Sequence, residues 1–474
     1  MSAPRSLFQQ GAPILTREQA EALAKRVLAF AKAEGTRVNI RSAARANSRF
    51  AVNQMSTAGD NTDTVVTVLS TFGKRSATSS TNKLDDAGLQ QVVANSEALA
   101  RLSPEDPEDM PELDPQQYQN AIGWSDATAQ LDPVARAAAI QKITEPARAA
   151  GLVSTGYIES RGTATAVANH KGLFAYGRTT ESVLTTTVRT PDGQGSGWGG
   201  SSHWDWNRID AAALGATAIQ KAKASRDAVA IEPGRYTVVL EPTAVGNLVQ
   251  ILAGQFSARN ADEGRSFFTK QGGVNKIGMK VVDDRVTIFS DPMDPDIGSA
   301  PFGGDGLPIG RTVWIENGVV KNLSYDRFWA QKQGKTPNAS GGGGGFGGGG
   351  GAGGGGGGGL KMVGGDASLE DLIAGTTRGI LVTRFWYIRA VDPRTILYTG
   401  LTRDGTFLIE NGKITRAVKN FRFNESPIFM LNNLEAMSRS IRVSASESGN
   451  TGQAIVVPAI RTREFNFTSL SDAV

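Results

Sequence analysis

The sequence predicts an α+β protein of two or three domains, on the strength of three observations. At 474 residues, the chain is longer than a single hydrophobic core usually allows. Amphipathic helical patterns flank β-like segments near the N-terminus, and a helical pattern followed by alternating Thr- and Val-rich segments fills the middle. The C-terminal half repeats Asn-Gly turns between apolar segments. We therefore expect an N-terminal helix–sheet domain at 1–110, a middle domain of helix plus antiparallel meander at 111–232, and a mostly antiparallel C-terminal β domain, curved or barrel-like, at 233–474.

The first helix is predicted to begin at a capping box. The Thr16 hydroxyl can accept from the amide of Gln19, and the Gln19 side chain can reach back. Gly35 is expected to close this helix. Strand-like segments follow near Arg37–Ser42, Arg49–Gln54 and Thr64–Thr71. Asp85 or Asp86 then caps a second helix, and its expected apolar stripe consists of Leu89, Val92, Val93 and Leu99.

The middle domain is predicted to follow an acidic, Pro-rich linker at 103–111. A helix begins at Asp132 and Pro133, because proline suits the first helical position. Two alternating strands meet at a turn over residues 169–172, which includes His170. A further strand and an Ala-rich helix capped by Asp210 complete this domain.

The C-terminal domain is predicted from a strand, a helix and two similar hairpins. The hairpins turn at Asn317-Gly318 and Asn411-Gly412, because both residue types tolerate positive φ. They indicate either two similar β-units in one sheet or barrel, or repeated use of a favourable turn. Between them, Gly341–Gly359 is glycine apart from Phe346 and Ala352. Such a tract is expected to form a loop, either a flap over a cleft or a tolerated insertion.

The composition excludes several chemistries. The chain has no Cys and two His, so thiol catalysis and the usual zinc ligand sets are not expected, whereas an all-carboxylate Ca²⁺ or Mg²⁺ site stays open. His170 is expected to be a solvated turn residue, and His203 either a partly buried strand residue or, with Trp204, part of a cleft. The net charge of +4 arises from 50 basic and 46 acidic residues, which argues against a nucleic-acid partner. No apolar run approaches the roughly 18 residues of a membrane span, so no membrane partner and a cytoplasmic location are expected.

Four blocks of the sequence stand out, at Gln54–Asp63, Gly306–Lys321, Phe407–Ile414 and Arg461–Ser469. In this order they resemble the TldD/PmbA family of metallopeptidases, also called the TldD/TldE family, and the resemblance extends over nearly the whole chain. The resemblance implies two kinds of subunit. TldD-type subunits hold zinc through a helix with His-Glu-x-x-x-His and a Cys near the C-terminus. TldE/PmbA-type subunits keep the fold, lack these ligands and pair with a TldD-type chain.

The metal positions of this family carry other residues here. Gln250 and Gln255 stand at the two His positions, Ile251 at the Glu position and Ser448 at the Cys position. The C-terminal β domain therefore carries a degenerate metal helix, and the chain resembles a TldE/PmbA-type subunit. We expect no catalytic residue and no metal ligand in this chain, and zinc only in a TldD-type partner.

The degenerate helix still permits two interpretations of its glutamines. Gln250 and Gln255, together with His203 and Trp204, are candidates for the lining of a peptide cleft. Alternatively, the glutamines form the polar edge of a packed helix, whose apolar face consists of Leu248, Val249, Leu252 and Phe256.

Three functions remain open at this point. The first is the non-catalytic subunit of a two-component zinc peptidase that acts on extended peptides, with strand edges holding the peptide. The second is a peptide-binding scaffold homodimer without protease activity. The third is an active hydrolase with relocated chemistry, which would use Ser448, Asp283, Asp284 or Asp305.

Overall fold

The computed structural model describes residues 14–339, 359–444 and 454–471. Ser448 lies outside these ranges, and so does the glycine tract predicted at 341–359 except for Gly359. The predicted α+β class is confirmed, because helices and mostly antiparallel sheets alternate along the chain. Within the three described ranges, no helix is both long and apolar enough to cross a lipid bilayer.

The N-terminal elements are two capped helices and a long β hairpin with a third strand. The predicted capping box is present, with Gln19 N donating to Thr16 Oγ1 at 3.2 Å and Thr16 N donating to Gln19 Oε1 at 2.9 Å. The helix, however, ends at Phe30, and Gly35 begins the next strand instead of closing the helix. The elements are α1 (Arg17–Phe30), β1 (Gly35–Ala51), β2 (Gln54–Phe72), β3 (Arg75–Thr81) and α2 (Asp86–Leu102).

Two further N-terminal predictions are corrected by tertiary contacts. The strand predicted at Arg49–Gln54 spans the β1–β2 turn, where Val52 and Asn53 have φ of 51° and 59°. The Asn53 side chain holds this turn, because its Oδ1 accepts from the backbone of Ser154 at 2.7 Å. In α2, Leu99 is 49% exposed while Leu89, Val92 and Val93 are buried. The buried stripe continues instead through Ser96, Glu97 and Ala100.

The middle elements extend the same sheet. Strand β4 pairs along β1, from Arg37 opposite Asn169 to Phe50 opposite Gly156. One antiparallel sheet in the order β3-β2-β1-β4-β5-β6 therefore extends across the domain border predicted near residue 110. The elements are α3 (Asp126–Ala129), α4 (Pro133–Ala149), β4 (Val153–Asn169), β5 (Phe174–Arg189), β6 (Ser196–His203), a 3₁₀ turn (Trp206–Arg208) and α5 (Ala211–Ala224).

Helix α5 packs directly on β6 through glycine. A Cβ built on Gly197 would clash with the backbone of Ala218 and Ala222. We expect Gly197→Ala to push the helix off the strand and to lower the free energy of unfolding by about 2–3 kcal/mol. Urea unfolding measures this change. Gly310→Ala is the matched control, since a Cβ there meets nothing within 4 Å, and equal losses in both variants would contradict the close approach.

The C-terminal half contains short strands, long barrel strands and small helices. In chain order the elements are β7 (Gly234–Leu240), α6 (Pro242–Ala253), α7 (Ala258–Asp262), β8 (Thr269–Lys270), β9 (Val274–Asn275), β10 (Ile288–Ser290), β11 (Thr312–Glu316), β12 (Val319–Val320), α8 (Arg327–Gln333), β13 (Leu360–Met362), α9 (Leu369–Ala374), β14 (Arg378–Asp392), β15 (Leu397–Glu410), β16 (Lys413–Ala417), β17 (Phe421–Glu425), α10 (Pro427–Asn432), β18 (Leu434–Met437), β19 (Ile441–Val443), β20 (Ile455–Val457) and β21 (Ile460–Leu470).

The predicted barrel is confirmed by the pairing of these strands. Strands β14, β7, β21, β17 and β15 pair in that order, and β15 pairs back to β14, which closes the circuit. The rings of Phe385, Phe423, Phe465 and Phe467 contact one another in the main hydrophobic core, with Phe385 stacked on Phe465 and the other contacts tilted.

The two Asn-Gly hairpins form as predicted but lie in different sheets. Asn317 and Asn411 have φ of 50° and 51°, and each is followed by a glycine with positive φ. The first hairpin joins β11 and β12 in a second sheet of order β12-β11-β10-β13-β20-β19, whereas the second extends the barrel as β15 and β16. The interpretation of two similar units in one sheet is therefore wrong, and repeated use of a favourable turn remains.

Candidate functional site

Helix α6 follows barrel strand β7 and is built into the main hydrophobic core. Its residues 243–249 are all buried, as are Leu252 and Ala253. Core residues from both the barrel and the second sheet join this cluster. Asn247 is 3% exposed, and its Oδ1 accepts from Phe385 N at 3.2 Å. This contact ties the helix to barrel strand β14.

The start of α6 is anchored by an ion pair. Glu241 precedes the helix in an extended conformation, and Pro242 occupies the first helical position. The Glu241 carboxylate receives two hydrogen bonds of 2.6 Å from Lys221 Nζ, on helix α5. Both charges are largely buried. The helix is therefore held from the sheet side as well as from the barrel side.

The structure places three of the four vestigial positions, Gln250, Ile251 and Gln255, around the end of α6. The helix ends at Ala253, and Gln255 N donates to Leu252 O at 2.9 Å in a tight turn beyond it. Gln250 and Gln255 are half-buried, and Ile251 packs against the main core. The predicted apolar face is buried as expected, although Phe256 lies past the helix, where its ring stacks on Trp314.

The donor atoms at this helix end do not suit a hydrolytic zinc ion. Gln250 and Gln255 offer neutral amide oxygens, which are weak zinc ligands, and Ile251 offers no proton acceptor. In the part of the chain that the structure describes, no group of three or more His, Cys, Asp or Glu side chains is placed to hold a metal. No catalytic step through zinc is therefore assigned to these residues.

His203 and Trp204 lie at the end of β6, next to the loop at 291–298. His203 is 7% exposed, and its Nδ1 accepts from Asp205 N at 2.9 Å. Burial, followed by the charge of Arg442, lowers the pKa of His203 to about 4. Trp204 Nε1 donates to Pro295 O at 2.8 Å. His203 is thus a neutral, buried strand residue in this structure.

Strand β19 adjoins both groups of candidate cleft residues. Ser202 Oγ, beside His203 on β6, donates to Val443 O at 3.1 Å. Helix α6, which carries Gln250, packs against β19 and β20. The segment containing Ser448 leaves β19 and returns in β20, but it lies outside the described residues.

The three acidic residues considered as alternative catalytic groups form hydrogen bonds or ion pairs with residues close to them in the sequence. Asp283 accepts from Arg285 Nε at 2.7 Å, and this hydrogen bond holds the pKa of its carboxyl below the usual value. Asp284 pairs with Lys280 at 2.6 Å. Asp305 is 3% exposed and accepts from Leu307 N at 3.1 Å. These contacts give the carboxylates structural roles in their loops.

A row of arginines on β1, on the face of the β3-β2-β1-β4-β5-β6 sheet that helices α1 and α2 do not cover, was not predicted from the sequence. Arg37, Arg41, Arg45 and Arg49 recur at every fourth position of β1, so they project to one face of the strand. Alternate residues such as Val38 and Ile40 pack under helices α1 and α2 on the other face. Arg45 pairs with buried Glu159, and the Arg49 guanidinium lies 5.2 Å from the Tyr157 ring centre. The fourfold spacing was the available signal, and the balanced net charge concealed it.

Comparison with protein-family models gives matches in two parts of the chain. Residues 233–469 match the PmbA/TldA metallopeptidase C-terminal domain. Residues 120–226 match the PmbA/TldA metallopeptidase central domain. The C-terminal match includes α6, the closed barrel and the second sheet.

Similar curated proteins carry metalloprotease names, and a solved structure with a similar fold is named TldE. A protein named Metalloprotease from Methanothermobacter thermautotrophicus is 26% identical over 333 residues, which span 66% of this chain and 69% of that protein. The zinc metalloprotease TldD homolog of Saccharolobus solfataricus is 25% identical over 235 residues, 47% of this chain and 48% of that protein. The crystal structure of TldE from Thermococcus kodakarensis has a TM-score of 0.80 at 17% identity and covers 95% of this chain and 99% of that chain.

Proposed function

Because this chain belongs to the PmbA/TldD metallopeptidase family, we propose that it is the non-catalytic subunit of a two-component zinc peptidase. One observation carries this proposal. Helix α6 is packed into the core as a complete structural element, yet Gln250, Ile251 and Gln255 stand where the family motif requires two zinc ligands and a proton acceptor. A TldD-type partner would supply the metal and the general base.

The proposed substrate is an extended peptide. Strands β6 and β19 are the terminal strands of their sheets in the described residues, and the Ser202–Val443 hydrogen bond brings them together. Terminal strands offer backbone donors and acceptors that recognise a peptide with little dependence on its sequence. In this proposal the chain completes the peptide-binding cavity, and the partner cleaves the peptide.

The similarity findings support a partner of this kind. The fold is similar to that of a protein named TldE, and one relative is named a zinc metalloprotease TldD homolog. A hetero-oligomer of a TldE-like and a TldD-like chain is therefore the assembly that we propose, with zinc held only by the TldD-like chain.

The proposal is tested by comparing the purified chain alone with the chain co-expressed with a TldD-type protein from the same host. We expect the lone chain to contain far less than one zinc ion per molecule by elemental analysis and to leave unfolded peptides intact. The pair is expected to copurify, to contain zinc and to cleave the peptides. A pair whose TldD-type chain carries Gln in place of the motif Glu is the control for contaminating proteases.

Two results would overturn this assignment. Stoichiometric zinc and peptide cleavage by the lone chain, both lost in a Gln250→Ala/Gln255→Ala variant, would make it an active hydrolase. Recovery of a self-associated chain that binds peptides, without any TldD-type protein, would make it a scaffold homodimer.

A further inference from the structure

The outer half of strand β2, residues 54–65, forms a sheet edge that we call the β2 edge. Strand β2 pairs with β1 over residues 54–71. On the other side of β2, strand β3 pairs only from Val66 onwards. Within the described ranges, no strand or isolated bridge pairs with the outer side of the β2 edge. At about 3.4 Å per residue, this edge is roughly 40 Å long.

The backbone of the β2 edge has unused hydrogen-bonding groups. In an antiparallel ladder, alternate residues direct their N–H and C=O groups away from the paired strand. Outside the β1–β2 ladder, the residues that the structure describes form no hydrogen bond to the backbone of the β2 edge. The outward groups are therefore available to a further strand.

The side chains of the β2 edge are exposed, mostly small and mostly neutral. Residues 54–63 are all exposed, and only two of them carry a charge. The Asp60 carboxylate accepts from Arg136 Nη2 at 2.9 Å, and Asp63 lies close enough to Arg41 for their charges to attract each other. Both carboxylates are thus compensated within this chain, and neither repels an incoming strand strongly.

The β2 edge lacks the features that usually prevent an exposed edge from pairing. Natural edges are protected by proline, lysine, bulges or short length. Residues 54–65 contain no proline and no lysine, and the register shift in the β1–β2 ladder lies near the hairpin turn, at Arg49 and Phe50. A long edge of this kind promotes aggregation when it is left open, so we expect a permanent partner to cover it.

The hairpin turn beside the β2 edge exposes apolar side chains. Val52 is 69% exposed and Met55 is 42% exposed. Val52 also has a φ of 51°, which β-branched residues rarely adopt. The turn therefore adds an apolar contact surface to one end of the edge, and methionine is among the residues enriched in protein interfaces.

The position and chemistry of the β2 edge favour a folded subunit over a substrate peptide. In the sheet order β3-β2-β1-β4-β5-β6, four strand spacings separate β2 from β6, which is about 19 Å. Strand β6 is the one assigned above to the peptide. The small side chains of the β2 edge offer few pockets for selecting a peptide. Backbone pairing over a long edge costs less entropy when the incoming strand is already extended in a folded protein.

We propose that the β2 edge pairs with an edge strand of the TldD-type partner in antiparallel orientation, so that one continuous sheet extends through both subunits. This inference rests on the proposed function, which supplies a partner of the same family. Two chains of similar fold associate most simply about a twofold axis, and a twofold axis across a sheet edge places equivalent strands antiparallel. Val52 and Met55 then contact the partner at one end of the shared ladder.

Amide hydrogen exchange tests this pairing in the full chain, alone and in complex with its TldD-type partner. In the lone chain we expect residues 54–65 to exchange quickly, because the outward amides have no partner. In the complex, about half of these amides should exchange at least about tenfold more slowly, since alternate residues point to the outer side. Strand β3, residues 75–81, is the internal control and should exchange equally in both samples.

The variant Thr57→Lys/Asn61→Lys should weaken binding of the TldD-type partner by about tenfold or more, because lysines on an edge strand oppose pairing with another strand. The matched control is Gln90→Lys/Ala94→Lys, which adds the same charge at exposed positions of α2 and should leave binding unchanged. Binding is measured by analytical ultracentrifugation, and urea unfolding checks that each variant still folds.

The outcomes separate this inference from the proposed function. A complex that forms without slower exchange at residues 54–65, or equal effects of the two double variants, would refute the edge pairing while the subunit role stands. Slow exchange at these residues in the lone chain would also refute it. A doubled mass would then show pairing with a second copy, and a monomer mass would show that another part of this chain covers the edge. If the native chain forms no complex, both the subunit role and this inference fail.

Discussion

Replacing Arg442 with methionine is expected to lower the free energy of unfolding by about 3–5 kcal/mol, because it removes one partner of a buried ion pair. The Arg442 side chain is 4% exposed and pairs with Glu181 of β5. It also donates to the carbonyl oxygens of Asp296 and Ile297 at 2.9 and 3.1 Å. Burial raises the pKa of Glu181, and Arg442 opposes that rise. Without Arg442, the Glu181 carboxylate loses its ion-pair partner and two carbonyl oxygens lose a donor, between the sheet and the C-terminal domain.

Urea unfolding of three variants measures this effect. Arg416→Met, at an exposed arginine, is the matched control and should change stability by less than about 0.5 kcal/mol. The double variant Glu181→Gln/Arg442→Met should be more stable than Arg442→Met alone, because it no longer buries an unpaired charge. A loss below about 1 kcal/mol in Arg442→Met would show that the ion pair does not hold the two parts of the chain together.

Replacing Glu425 with glutamine is expected to change how stability depends on pH. Glu425 ends barrel strand β17, is 3% exposed, and accepts from the amides of Ser426 at 2.8 Å and Asn466 at 3.1 Å. Burial raises the pKa of its carboxyl to about 7, although these two amide hydrogen bonds oppose the rise. The protonated form is therefore favoured in the folded barrel relative to the unfolded chain.

The sign of this effect follows from the raised pKa. Stabilisation by the protonated carboxyl is complete below the ordinary pKa of 4.5 and is lost as the pH rises through about 7. Glu425→Gln keeps a neutral side chain at every pH. We expect the variant to match the native chain near pH 4.5 and to exceed its free energy of unfolding by about 3 kcal/mol above pH 7.

Chemical unfolding at a series of pH values checks this prediction. Glu145→Gln, at an exposed position on α4, controls for the loss of one negative charge. A difference between Glu425→Gln and the native chain that stays constant with pH would show that Glu425 does not titrate in this range.

Much of the fold could be predicted because local hydrogen bonds determine it. Four helix starts were predicted from local signals: three from a capping side chain (Thr16, Asp85 or Asp86, and Asp210) and one from proline at the first helical position after Asp132. In each, the side chain that precedes the helix accepts from an amide of the first turn: Thr16, Asp85, Asp132 and Asp210. Both Asn-Gly turns also form as predicted. Each of these features depends on atoms only a few residues apart, so no distant contact is needed to specify it.

Features that depend on residues far away in the sequence could not be predicted from local sequence patterns. Val52 and Asn53 turn the chain because Ser154, a hundred residues away, donates to Asn53. Leu99 continues a helical apolar pattern, yet the neighbouring elements leave it 49% exposed. The periodicity of apolar residues shows which residues share one face of a helix or strand. It does not show which face packs against another element.

The candidate site shows the same difference between features that local sequence determines and features that depend on long-range contacts. The sequence by itself determined which atoms stand at the vestigial metal positions, since Gln250, Ile251 and Gln255 carry no imidazole, thiolate or carboxylate group in any conformation. Only the tertiary structure brought Arg49, Arg384 and Arg403 into one cavity. Arg384 and Arg403 are cross-strand neighbours on β14 and β15, but Arg49 lies on β1, far away in the sequence. The packing of the sheet against the barrel that places the three together is long-range, and no local pattern encodes it.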